Sequence, residues 1–214
     1  MAFFSKLFGS SRNRELDRLL SDAKKQVDRE YGPMGKVGSA VIRAATNCRD
    51  AVKNEIEADT EKKRKELEIF IFYEFIYFFM HMAMRASAVQ LTDSQILKLQ
   101  SYLGPLVSAV AIDSYCAHWP DDIKKNMNRE FYEKLNQAEI EYAECTRSNT
   151  GDKTEEAAKQ RLQALFWMLG TNVSQLARND SKDIAIVSLV CQTAIDQWSR
   201  MELSTLIADI KEGN

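Results

Sequence analysis

Apolar residues recur along most of the chain at three- and four-residue spacing, the period of an α-helix, and strand-like alternation is hard to find. One stretch departs from the amphipathic pattern. From Leu67 to Arg85 the chain reads LEIFIFYEFIYFFMHMAMR, which holds five of the ten phenylalanines and is apolar almost all the way round. Such a helix belongs at the centre of a bundle, where other helices cover every side of it. Glu74, His81 and Arg85 stand inside it and fall in one narrow sector at about 100° per residue, together with Leu67, Phe70 and Phe78.

The remaining pattern predicts helices on both sides of this core. A stripe of Leu16, Leu19, Leu20, Ala23 and Val27 predicts a helix from about Arg12 to Tyr31, stopped by Gly32-Pro33 and followed by a loop over residues 32–38. Val41, Ala44, Cys48, Val52 and Ile56 mark the next helix, which either turns near Asp59-Thr60 or runs on into the core helix. Leu91-Thr92-Asp93-Ser94-Gln95-Ile96 combines a T-x-x-Q capping box with an apolar staple, so a helix starts at about Asp93, and Gly104-Pro105 should kink or divide it. Pro120 opens a further helix with the stripe Ile123, Met127, Phe131, Leu135, Ala138, Tyr142 and Cys145. Beyond the loop 148–154, a helix carries Ala158, Leu162, Leu165, Leu169, Val173 and Leu176. A last one runs from beyond Ser181 to about Lys211. The prediction is an all-α, single-domain bundle of six to seven helices around a central helix at about 61–90, with residues 1–9 as a separate amphipathic segment and 10–214 as the domain.

Composition changes this picture little: 45% hydrophobic and 28% charged residues are ordinary for a soluble protein, and 3 Pro and 8 Gly suit long helices. A net charge of −2 argues against nucleic acid as a partner. The charge is uneven, however, with residues 1–49 holding ten Lys/Arg against five Asp/Glu, a net of +5 that leaves −7 for the remainder. Cys48, Cys116, Cys145 and Cys191 have neither zinc nor redox spacing and read as buried thiols of a reducing cytoplasm. From Ile69 to Met84 the core stretch is shorter than the ~20 residues a bilayer requires, and it contains Glu74.

Candidate chemistry is sparse. The Glu-x-x-His pair of di-metal bundles is missing at both histidines, since Phe78 precedes His81 and Tyr115 precedes His118 by three residues. No metal, no cofactor and no catalytic set is expected, so an enzyme is the less favoured reading. A buried carboxylate among phenylalanines needs partners. Asp113, on a similarly apolar segment, is the expected partner for Arg85 or His81. Two functions compete. The first is a non-enzymatic cytoplasmic helical protein acting through protein contacts or self-association, with Trp167, off the main stripe, as a contact residue. Peripheral attachment to the inner membrane surface through Phe3, Phe4, Leu7 and Phe8 accompanies it. The second is a bundle that binds a small polar or anionic ligand between helices, in a pocket lined by Glu74, His81, Arg85, Asp113 and Tyr77.

Overall fold

The computed structural model describes the backbone of residues 11–116, 119–147 and 154–212, and the side chains within them except at 11–31, 114–116, 146–147 and 180. Among the described residues the helices are α1 (Ser11–Val52), α2 (Glu61–Gln90), α3 (Asp93–Cys116), α4 (Asp121–Arg147), α5 (Glu155–Ala177), α6 (Asp183–Arg200) and α7 (Leu203–Glu212). Short 3₁₀ turns at Lys53–Glu55 and Asp180–Lys182 join them, and no strand is present among the described residues. The fold is an all-α bundle around α2.

Helix α2 packs against α1, α3, α4, α5 and α7, while α6 lies on α5 and α1. Ile71, Phe75, Ile76, Phe78, Phe79 and Ala83 of α2 are completely buried on one side of its axis, and the buried Tyr73, Tyr77, Met80 and His81 cover the other. By length and composition α2 would also suit a membrane, but 72% of its most apolar window is buried by the surrounding helices. Water-filled surroundings are thereby replaced by protein, as the hydrophobic effect demands of such a segment.

Boundaries follow local chemistry. Thr60 caps α2 by accepting a hydrogen bond from the Lys63 amide at 3.1 Å. The chain therefore forms two helices around Asp59, separated by Ile56–Thr60. The capping box before α3 is present in both directions, with the Thr92 amide donating to Gln95 Oε1 at 3.1 Å and the Gln95 amide donating to Thr92 Oγ1 at 3.4 Å.

Three expectations are corrected and one is narrowed. The predicted loop at 32–38 is helical: Gly32 alone leaves helical geometry (φ 54°, ψ −131°), so α1 is two helical segments across a kink. Pro33 is the first residue beyond that kink, a position where its missing amide proton costs little. Gly38 then serves close packing, because a Cβ there would lie 2.5 Å from Leu106 Cδ2. Of the kink or division expected at Gly104-Pro105, division is absent: α3 runs unbroken to Cys116 with Pro105 inside it. The last helix does break, at Glu202 (φ 49°), into α6 and α7. Finally, the buried side of α5 is Ala157, Leu165, Phe166, Leu169, Val173 and Ala177, whereas Ala158 and Leu162 are exposed.

Helices α5 and α6 approach each other closely at Gly170. A Cβ at this position would stand 2.9 Å from Val187 Cγ1 and 3.0 Å from the Val187 carbonyl oxygen. Backbone cannot yield as a flexible side chain can. Gly170→Ala is expected to lower the unfolding free energy by about 1–3 kcal/mol, read by urea denaturation; an unchanged midpoint would show that the α5–α6 crossing is loosely held.

Candidate functional site

The polar sector of α2 faces α4 and α5. Glu74 is half-buried, and one of its oxygens, Oε1, accepts two hydrogen bonds: from the Tyr142 hydroxyl at 2.7 Å and from Asn172 Nδ2 at 2.8 Å. Tyr142 is fully buried, and burial, with the Glu74 charge beside it, holds its hydroxyl well above the ordinary value of 10.0. It therefore stays protonated as a donor to the carboxylate, the arrangement a partly desolvated anion needs. His81, two turns on, is 3% exposed, and its Nδ1 lies 2.8 Å from Glu139 Oε2 on α4. The Tyr142 ring tilts against the imidazole with centroids 5.5 Å apart, so one tyrosine touches both polar residues of α2.

The other expected members sit elsewhere. Asp113 is exposed on α3, and it is Glu139, not Asp113, that pairs with His81. Arg85 lies at the exposed end of the sector, where burial and the Arg161 guanidinium lower its pKa while Cys145 and Glu139 act in the opposite direction. Tyr77 is buried against Tyr73 and Phe131, with centroids 6.4 and 5.2 Å away. Its hydroxyl and His81 Nε2 make no hydrogen bond with described residues. The structure thus brings Glu74, His81 and Arg85 onto one face, opposite Glu139, Tyr142 and Asn172. It leaves Asp113 apart. Neither described cavity is lined by Glu74, His81, Arg85 or Asp113.

Sequence reasoning missed Glu139, Tyr142 and Asn172 as partners. The signal was present: Tyr142 lies on the apolar stripe of α4, and Asn172 stands beside Val173 near the buried side of α5. Polar groups at such positions answer another polar group in the core.

Beside this network a groove of about 870 Å³ runs between α5 and α6, lined also by Cys145 of α4. Its wall includes Phe166, Trp167, Met168, Cys191 and Ile195. Trp167 is 60% exposed and Ile195 51%. Asn172 belongs to both features, since it lines the groove and holds Glu74. The Cys191 thiol donates to the Phe166 carbonyl at 3.1 Å, and burial raises both Cys145 and Cys191 above the ordinary thiol value of 9.0. Both therefore stay as thiols near neutral pH, not as reactive thiolates. Among the described residues no three His, Cys, Asp or Glu side chains come together as metal ligands. Phe3, Phe4, Leu7 and Phe8, and also His118, lie outside the described residues. Comparison with protein-family models, with curated proteins and with solved structures finds no match.

Two outcomes are expected of the network. Tyr142→Phe and Asn172→Ala should each cost about 1–3 kcal/mol by removing a donor from a partly buried carboxylate. Because both bonds end on one oxygen, the double variant should depart from additivity in a denaturation cycle; strict additivity would show the two donors to be independent. Stability should also fall as pH rises past 10.0. Folding raises the pKa of Tyr77 and Tyr142, each chiefly through burial, so the unfolded chain loses those protons first and is favoured at alkaline pH. Thermal denaturation should show a shallower alkaline decline in Tyr142→Phe, and equal slopes would remove Tyr142 from this role.

Proposed function

We propose that this chain is a non-enzymatic helical protein that acts through protein–protein contacts, and that the α5–α6 groove is the docking face. One observation carries the reading. Of the ten residues lining the groove, from Cys145 to Ile195, none is charged, on a chain that is 28% charged. Depletion of charge around an accessible tryptophan is the compositional mark of an interface core. Tryptophan is also among the side chains that contribute most when an interface forms.

The occupant proposed is a second copy of the chain. Two-fold association needs a surface that is complementary to itself. A projecting Trp167 immediately beside an apolar recess meets that need, because each copy offers the knob and the hole together. The polar network behind the groove supports the same reading: Asn172 ties the groove wall to Glu74, which gives the face a rigid backing.

Sedimentation velocity over a range of concentrations tests this. The wild type should self-associate reversibly, and Trp167→Ala and Ile195→Glu should each weaken association about 30-fold or more, the loss of roughly 2 kcal/mol expected for a hot-spot residue. Both positions are more than half exposed, so the folded monomer should keep its helical circular dichroism. A wild type that remains monomeric at every concentration, or variants that associate as tightly as it does, would overturn the proposal.

A further inference from the structure

A second cavity, of about 520 Å³, lies between α1 and the corner where α6 turns into α7. Its origin is in the sequence. Ala40 and Ala44, one helical turn apart on α1, are too small to fill the space opposite Met201 and Leu206. The floor is therefore apolar, made by the buried Ala40, Ala44 and Met201. One part of the wall is a side-chain pair, Asn47 Nδ2 donating to Gln197 Oε1 at 2.8 Å.

The rim is cationic. Lys36, Arg43 and Arg200 line the cavity against one acidic residue, Glu202. Two of these cations have existing partners. Lys36 Nζ lies 3.9 Å from Asp209, and Arg200 is held by Asp196 one turn back on its own helix through two contacts of 3.1 Å, Nε to Oδ1 and a terminal nitrogen to Oδ2. The long, half-exposed Lys36 pair contributes little, whereas the forked Arg200 pair is the better formed of the two. Arg43 forms no ion pair with any described residue. Its guanidinium is permanently charged and offers a planar fork of donors matched to phosphate oxygens. Lys36 and Arg43 are seven residues apart, so their backbones are separated by about 10.5 Å along one face of α1. Two long side chains over that span bracket an anion larger than a single phosphate.

We infer that this cavity binds a small phosphate-bearing anion, with Arg43 as its principal contact, Lys36 and Arg200 as supporting ones, and the alanine floor beneath an apolar portion of the ligand. The volume is that of a small-molecule site. The basic balance of residues 1–49 acquires a location in this way, since Lys36 and Arg43 both come from that segment. Glu202 is the opposing group. Its left-handed backbone (φ 49°) is one an L-residue adopts at some cost, and its charge works against an anion. Phosphate chemistry could be presented by a soluble ester or by a lipid headgroup, and the test separates them.

Isothermal titration calorimetry of the full chain with pyrophosphate and with a nucleoside diphosphate examines the soluble form, and flotation with vesicles containing phosphatidic acid examines the lipid form. Binding to at least one is expected, weakening as salt is added. Arg43→Glu should lower affinity about tenfold or more, as loss of one charge-assisted contact implies, and Glu202→Gln should raise it. Arg129→Glu, on exposed α4 outside the cavity, should leave it unchanged. Binding of pyrophosphate or the diphosphate alone assigns a soluble ligand; binding of vesicles alone assigns a headgroup. Absence of binding to all three probes overturns the site, and so does equal weakening by Arg43→Glu and Arg129→Glu, which would mark general charge attraction. These readouts are independent of self-association, because none of the cavity residues lines the α5–α6 groove.

Discussion

Glu74 draws two hydrogen bonds to a single carboxylate oxygen from within the aromatic and aliphatic stretch of α2. Apolar packing around α2 is non-directional and would tolerate several rotations of the surrounding helices. A carboxylate among them does not: moved by one residue, α4 would withdraw Tyr142, and moved likewise, α5 would withdraw Asn172, each leaving an anion short of a donor. His81 repeats the constraint two turns along through Glu139. Two residues of one α2 face, Glu74 and His81, thus constrain the register of two neighbouring helices, and α6 packs on one of them at Gly170.

The period of the apolar residues made the all-α bundle and its central helix legible, because a helix apolar on every side admits only a covered position. The capping box was equally legible, being a contact between residues three apart. What escaped was non-local or conformational. Gly35 and Gly38 read as loop residues, yet both lie in helix, where Gly38 faces the side-chain tips of Leu103 and Leu106 of α3. The break at Glu202 carries no glycine or proline to announce it. On α5, Leu162 shares a helix face with the buried Leu165, Phe166 and Leu169, so its exposure depends on how far the neighbouring helices extend, which periodicity does not reveal. Asp113 looked a suitable partner by composition, but Glu139 holds the position facing His81. The Trp167 expectation stood on its being off the apolar stripe, and exposure follows from that directly.

Helix α6 separates two surfaces of opposite character. Ile195 points to the uncharged groove, and Gln197, about 200° further round, points to the cationic cavity. In the readings proposed above, one helix carries a self-docking face and a ligand wall on its two sides. Gly170 and Val187 hold that helix against α5 at backbone distance, so the two faces are connected through a rigid element instead of a loop.

The order in which the chain leaves the ribosome gives α2 a further significance. Tyr142 follows Glu74 by 68 residues and Asn172 follows it by 98. At ordinary rates of synthesis the second donor arrives about 5–20 s after the carboxylate it serves. During that interval the most apolar segment of the protein has only α1 and whatever part of α3 and α4 has emerged to cover it. Its hydrophobic surface is then what a nascent-chain chaperone or a membrane-targeting factor would meet first. The polar face of α2 gains its second donor only once α5 has packed, because Asn172 comes from that helix.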